Sequence, residues 1–312
     1  MNIAILTSGG DSSGMNPAIK RFVEYSYAKN HTPYFIYNGL EGIIDGNIKK
    51  ADYIDVSGII FRGGTILKSS RSKRWYEKKY RQIAYENLQK YNIDLLIIIG
   101  GDGSFRALDI FYKEFNIKFI GIPATIDNDI ALNEYSIGVD TALNVIRHAV
   151  DEIRDTASSF KRAFVIEVMG RECGYLALTS AIANGAEVCL IPEIKHNLDN
   201  LLHLKNRDYI LAIVAEGANQ TNNLKQWLEN ELNFETRVTI LGHTQRGGNP
   251  TVFERLMASR FISFALDNIA TPNKIVTFYQ DKFILRNLEE IVNSKYQLDK
   301  YMLQLAKPLM GV

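Results

Sequence analysis

Several short apolar runs in this chain end in glycine or acid clusters whose residue types could handle phosphate and a divalent cation. Gly9-Gly10-Asp11 follows Asn2–Thr7, Gly100-Gly101-Asp102-Gly103 follows Leu95–Ile99, and Thr125-Ile126-Asp127-Asn128-Asp129 follows Phe119–Ile122. Gly170-Arg171, Glu216-Gly217 and Gly242-His243 close the runs Ala163–Val168, Tyr209–Ala215 and Val238–Leu241. Glycines leave backbone N–H groups open to an anion, and a helix N-terminus adds a favourable field. Asp102 offers a hard oxygen for Mg²⁺, an ion usually held by one or two carboxylates plus phosphate oxygens. In an extended 125–129 segment Asp127 and Asp129 project to one side. A right-handed crossover through a helix at Ser104–Phe115 sets that loop near Asp102. Two like charges 4 Å apart repel by about 4 kcal/mol at an effective dielectric of 20, so three converging carboxylates call for a cation. An acidic turn is the competing reading, since Asp and Asn are common turn formers.

Arginines supply the opposite charge. Arg162, Arg171, Arg237 and Arg246 lie close to the ends or starts of the apolar runs, and Arg71 follows Gly63-Gly64. Arg binds phosphate bidentately, although a surface salt bridge is the default for any one of them. The stretch Arg71, Lys73, Arg74, Lys78, Lys79, Arg81 reads as one solvated helix start with Trp75 and Tyr76 part-buried. His243 is set apart from a structural histidine only by its neighbours in Leu241–Gly248. The Gly9-to-Gly14 spacing is not a P-loop, because Met15 and Asn16 stand where Lys and Ser/Thr are required. Gly101-Asp102-Gly103 lacks the third glycine of a dinucleotide fingerprint.

The elements that must position these residues are strands alternating with helices. Further runs at Tyr34–Tyr37, Val188–Ile191 and Lys274–Phe278 complete the pattern. Continuous apolar strands separated by helical segments predict doubly wound α/β architecture with parallel sheets covered on both faces. One helix is predicted with Asn16 as N-cap, Pro17 at its first position, and Ile19, Phe22, Val23 and Tyr27 along one stripe. In such sheets the loops at the carboxyl ends of the strands share the edge where ligands bind.

Composition sets the bounds. The 312 residues suggest two domains, and 46% hydrophobic with only 7 Pro excludes a disordered or low-complexity chain. With 36 Lys+Arg against 35 Asp+Glu, the formal charge of +1 argues against a nucleic-acid or membrane-surface binder, so any polyanion site is local. Cys173 and Cys189 match neither a disulfide framework nor a zinc site, and read as small buried hydrophobes in a reducing, cytoplasmic compartment. No apolar stretch approaches a membrane span and Met1–Thr7 has no basic flank, so a soluble, untargeted protein is expected. No linker, charge block or repeat marks a domain boundary.

Through Leu6-Thr7-Ser8-Gly9-Gly10-Asp11 with Gly14-Met15-Asn16, Gly100–Ser104, Thr125–Asp129, Glu167–Arg171 and Leu241–Gly248, the chain resembles the 6-phosphofructokinase family, in its short bacterial ATP-dependent type. Other kinases share a Gly-Gly-Asp-Gly loop, the NAD and diacylglycerol kinases among them, but not the Thr-Ile-Asp-Asn-Asp partner. The resemblance implies transfer of the ATP γ-phosphoryl group to the 1-hydroxyl of fructose 6-phosphate, with Mg²⁺. It implies two Rossmann-like domains, a larger nucleotide-side one at 1–138 plus 246–302 and a smaller sugar-phosphate-side one at 139–245 plus 303–312. It makes Asp127 the base, with Thr125, Arg71, Arg171 and Gly10 assisting the transfer, and Asp102 and Asp129 the magnesium carboxylates. ATP contacts fall on Gly10, Arg71, Ser72, Asp102, Gly103 and Ser104. Sugar-phosphate contacts fall on Thr125, Asp127 and Asp129, and on Arg162, Met169, Gly170, Arg171, Glu216, Arg237, His243 and Arg246. In the family Arg162 and Arg237 serve a neighbouring subunit's site, which implies a homotetramer.

The chain also departs from the family pattern. Ala124 stands where ATP users usually have glycine and pyrophosphate users lysine, while Gly103 replaces the second Asp of the pyrophosphate type; both features favour ATP. Leu40, Ser72 and Tyr76 differ from the usual residues near the adenine. At the family's effector site Arg21, Arg154 and Glu187 persist, whereas Tyr25, Tyr53, Gly58 and Asp208 replace charged residues, so weak or absent response to ADP and phosphoenolpyruvate is expected. A pyrophosphate-dependent enzyme and a catalytically idle nucleotide-binding subunit are the alternatives; the latter would be expected to have lost Asp102, Asp127 or Asp129.

Overall fold

The structure is a computed structural model that describes residues 1–312. In chain order the first elements are β1 (Asn2–Thr7), α1 (Met15–Ala28), β2 (Thr32–Ile36), α2 (Gly39–Ile44), β3 (Ile48–Lys50), α3 (Lys78–Lys90), β4 (Leu95–Gly100), α4 (Asp102–Phe115) and β5 (Phe119–Pro123). They are followed by α5 (Val139–Phe160), β6 (Ala163–Val168), α6 (Tyr175–Asn184), β7 (Val188–Leu190), β8 (Ile210–Ala215), α7 (Thr221–Asn230) and β9 (Thr236–Ile240). The chain ends with α8 (Val252–Asp267), β10 (Lys274–Tyr279), β11 (Lys282–Asn287), α9 (Leu288–Val292) and α10 (Lys300–Ala306). Contacts divide it into two compact units. The first comprises Met1–Thr125, Ile130–Asp140 and Arg246–Tyr296, and the second Ile126–Asp129, Thr141–Gln245 and Gln297–Val312.

The first unit holds a seven-stranded sheet in the order β11-β10-β5-β4-β1-β2-β3. Its inner strands are parallel, as expected for runs buried on both faces, and every residue of β4 is buried. The crossover from β4 through α4 to its neighbour β5 matches the unit that the sequence suggests. The rims differ from expectation: β3 and β11 are antiparallel edge strands. β3 is a three-residue Ile-Lys-Lys strand and β11 confines its apolar residues to Phe283–Leu285 between charged or polar ends, short and charge-flanked edges of the kind natural sheets use. The second unit holds a four-stranded, wholly parallel sheet, β7-β8-β6-β9.

Two local expectations are corrected. Asn16 is not an N-cap: α1 starts at Met15 after Gly14, and the Asn16 amide donates to the carbonyls of Arg62 and Gly63 while accepting from Ile66 N–H. The side chain thus satisfies a long loop, and Pro17 falls at the third and not the first position of α1. Of the expected stripe, Ile19, Phe22 and Val23 are fully buried while Tyr27 is half-buried, its hydroxyl donating to Ala51 O at 2.8 Å. The basic stretch is not one solvated helix start either. Trp75 is buried against Phe111, with ring centroids 5.0 Å apart, while Tyr76 is 85% exposed. Arg81 lies buried in a two-pronged ion pair with Glu114, at 2.6 and 2.7 Å.

Candidate active site

In the first unit the loops after β1 and β4 meet. Ser8 N–H donates to Ile99 O at 3.0 Å, and a Cβ on Gly100 would stand 2.6 Å from Ser8 O. Gly9 has φ of +88°, a conformation glycine adopts without cost. Ser69 Oγ donates to Gly9 O at 2.6 Å, which draws the loop carrying Arg71 and Ser72 to the same place. Ser72 Oγ accepts Trp75 N–H at 3.0 Å, and Arg71 is exposed. Gly101 precedes α4 with no side-chain cap, so the first N–H groups of that helix remain open, and a Cβ on Gly101 or Gly103 would meet nothing within 4 Å. Asp102, in the first turn, pairs with Arg106 at 2.7 Å and is partly exposed.

Arg246 lies across the Gly9–Asp11 loop. It donates to Asp11 O at 3.1 Å and stands 3.5 Å from the Asp11 carboxylate. A Cβ on Gly10 would fall 1.8 Å from its Nη2, so the glycine makes room for the guanidinium.

In the second unit, the segment Ile126–Asp129 is not extended. Asn128 has φ of +50°, in the left-handed region that Asn tolerates, and Asp127 is 5% exposed whereas Asp129 is exposed. The turn therefore sends the two carboxylates into different environments instead of onto one face. Arg171 Nε stands 3.4 Å from Asp127 Oδ2. Arg171 itself has φ of +52°, and its N–H donates to Glu216 Oε1 at 2.8 Å. A Cβ on Gly217 would meet Arg171 O at 1.8 Å, so the two strand-end loops are in backbone contact.

Arg171, Glu216 and Gly217 line a cavity of about 640 Å³ together with Glu167, Glu172 and Asn219. Glu167 also accepts a short hydrogen bond from Thr221 at the start of α7. Glu172, Asn219, Thr221 and Asn222 were not anticipated; the polar run Asn219–Asn223 after Glu216-Gly217 was the readable signal for three of them. Met169 N–H donates to the Gln245 side chain at 3.2 Å, and His243 is exposed on the Gly242–Arg246 turn.

Arg162 and Arg237 do not line this cavity. Both pair with Glu235, Arg162 at 2.8 Å, and Arg162 also lies over the Phe160 ring. The Arg162 hydrogen bond, chiefly, holds the Glu235 carboxyl below its ordinary range. Arg154 donates to Asn184 O, Glu187 accepts Leu211 N–H at 2.8 Å, and in the first unit Arg21 bonds Ser263 at 2.8 Å. Cys173 and Cys189 are buried as expected, and burial pushes both thiols up to about 12. No group of three or more His, Cys, Asp or Glu is gathered to hold a metal ion by itself.

A doubly wound α/β chain with glycine, arginine and carboxylate clusters at its carboxyl strand ends is a phosphate-handling protein by architecture. Comparison with known proteins narrows the class. The Phosphofructokinase family model matches residues 2–269, and the chain belongs to that family. A relative from Sulfurimonas denitrificans, named ATP-dependent 6-phosphofructokinase, is 55% identical over 98% of this chain and 99% of its own. A relative of the same name from Wolinella succinogenes is 50% identical over 99% of this chain and the whole of its own. The solved phosphofructokinase of Saccharomyces cerevisiae superposes with a TM-score of 0.87 at 34% identity, over 94% of this chain and 45% of the yeast chain. A pyrophosphate-dependent phosphofructokinase from Marinobacter aquaeolei, 18% identical with a TM-score of 0.84, shares the fold over the full length of this chain and 92% of its own.

Proposed function

We propose that this protein transfers the γ-phosphoryl group of ATP to the 1-hydroxyl of fructose 6-phosphate, giving fructose 1,6-bisphosphate and ADP in glycolysis. The observation that carries the reading is end-to-end identity of 55% to an ATP-dependent 6-phosphofructokinase. The donor assignment is supported by Gly103, with open space around it, and by Ala124, buried where a pyrophosphate user would carry lysine.

In the proposed mechanism Asp127, buried and facing Arg171, takes the proton of the attacking hydroxyl. Arg171, its backbone fixed by Glu216 and Gly217, and Arg71 offset negative charge on the transferring group. Loose phosphoryl-transfer transition states gain mostly from such positioning and charge neutralisation. Thr125 adds a hydroxyl beside the same loop, and the Gly10 N–H is available to the phosphate. Ser72, Asp102, Gly103 and Ser104 complete the ATP side. Met169, Gly170, Glu216, His243 and Arg246 are assigned to the sugar phosphate. Asp102 and Asp129 are the carboxylates assigned to Mg²⁺; each is solvent-accessible, and a hard carboxylate oxygen with phosphate oxygens and water is the donor chemistry that ion takes. When bound, that ion neutralises charge on the phosphate chain.

Arg162 and Arg237 are assigned to a neighbouring subunit's sugar-phosphate site in a homotetramer. Their place on and beside the edge strand β9, outside the chain's own cavity, supports this. A cytoplasmic location is proposed with it, and no helix is long and apolar enough to cross a membrane. The effector residues Arg21, Arg154 and Glu187 are already engaged within the chain, which supports a weak effector response.

Asp127→Asn tests the reading. A positioned base contributes about 10²- to 10⁴-fold, so kcat is expected to fall by that order with little change in sugar KM. Near-normal turnover removes Asp127 from the role.

A further inference from the structure

Gln245 is the one residue of the Gly242–Arg246 turn whose side chain is closed off from solvent, at 1% exposure. Its amide oxygen accepts Met169 N–H at 3.2 Å, and its amide nitrogen donates to Gly242 O at 3.0 Å. Inverting the amide would face donor to donor and acceptor to acceptor, so its two neighbours fix its orientation. One buried side chain therefore joins the end of β6, which runs into Met169, Gly170 and Arg171, to the turn that carries His243. Leu241 N–H is bonded to Glu167 O at 3.1 Å, and Thr244 closes the turn on itself through its N–H and hydroxyl to Leu241 O at 3.3 and 2.6 Å, so this amide is the side-chain link from the turn to the Met169 loop.

We infer that Gln245 is a positioning residue for sugar-phosphate recognition: its amide sets the spacing between the Met169–Arg171 loop and the His243 turn without touching substrate. The inference rests on the function proposed above and goes beyond it. The demand is for an amide in particular. The enclosed side chain meets one part-buried backbone donor and one part-buried backbone acceptor, and a replacement that leaves either unpaired loses that bond and the alignment it sets. Leucine satisfies neither. Glutamate keeps the shape and accepts from Met169 N–H, but it can donate to Gly242 O only when protonated.

That difference gives a signature that loss of packing would not produce. Sugar KM and kcat are measured for the parent protein, Gln245→Glu and Gln245→Leu between about pH 6 and about pH 9 at saturating ATP, with thermal unfolding alongside. The titratable and charged groups flanking the amide are Glu167 and Arg171 at the β6 end and His243 and Arg246 around the turn. They are common to all three proteins, so the KM ratio of variant to parent isolates the introduced carboxyl. Burial raises a carboxyl's pKa, which carries its ionisation toward the assay range.

Gln245→Glu is expected to approach the parent KM at the acid end. Its KM then rises about 10- to 100-fold as pH increases, while kcat changes severalfold less. Gln245→Leu is expected to show the raised KM at every pH. A KM ratio for Gln245→Glu that stays flat with pH overturns the inference, as does a fall in kcat with KM unchanged. A parent protein that does not turn over fructose 6-phosphate overturns the functional reading and this inference together; an active parent with flat ratios overturns the inference alone.

Discussion

Gly217→Ala should disable the site through backbone displacement, although no substrate contact is assigned to Gly217. The added Cβ would stand 1.8 Å from Arg171 O and 2.9 Å from its carbonyl carbon, where ordinary contact begins at 3.4 Å. Neither side can yield cheaply. Arg171 already sits at φ of +52°, and Gly170, at φ of +136°, has Cys173 O 2.4 Å from the position of a Cβ. The loops must part, which breaks the 2.8 Å bond from Arg171 N–H to Glu216 and shifts the guanidinium from its place 3.4 Å from Asp127. Overpacking of this kind costs about 1–3 kcal/mol, or several degrees in Tm. A misplacement of about 1 Å near the chemistry costs about 10²-fold in rate. Activity should thus fall far more than the loss of folded protein allows. An aldolase-coupled assay of kcat and sugar KM, paired with a thermal melt, measures both. Parent-like kinetics with an unchanged melt would refute the close-packing argument.

Glu114→Gln should lower stability near neutral pH by about 1–3 kcal/mol, because buried Arg81 loses a charged partner. The Arg81 hydrogen bond holds the Glu114 carboxyl below the ordinary glutamate range, so its contribution is complete above that range and fades as pH falls through the lowered value. Urea midpoints of parent and variant should therefore converge in acid; a gap that is the same at neutral and at strongly acid pH contradicts this. Phosphoenolpyruvate and ADP should change turnover little, with a hyperbolic sugar response. Strong phosphoenolpyruvate inhibition with a sigmoidal response would overturn that expectation.

Legibility in the sequence followed burial. Leu95–Ile99 reads as a central parallel strand because both faces are buried and no polar residue interrupts it. The Lys282–Asn287 strand is not legible as an element of its own because its apolar run, Phe283–Leu285, is only three residues long and returns through a tight antiparallel hairpin from β10. β9, read at Val238–Leu241, starts at Thr236 because its alternating exposure masks the boundary. The chemistry-bearing residue types were legible from their place after apolar runs. Their geometry was not, because it turns on single backbone angles and long-range side-chain bonds. Asn128 at φ of +50° parts Asp127 from Asp129, Asn16 serves a loop 46 to 50 residues away instead of its own helix, and the Glu235 pairing of Arg162 spans 73 residues. Gln245 carries no sequence signal beyond membership in the Leu241–Gly248 stretch, since only packing shows that its amide is enclosed.

The central claim is the identity of donor and acceptor, and one measurement tests it most directly. The purified protein is assayed with fructose 6-phosphate and Mg²⁺ in an aldolase-coupled reaction, with ATP, GTP and pyrophosphate supplied in parallel. ATP should support turnover that depends on both fructose 6-phosphate and Mg²⁺, and pyrophosphate should not. Turnover with pyrophosphate only, or the absence of turnover with every donor, would contradict the account.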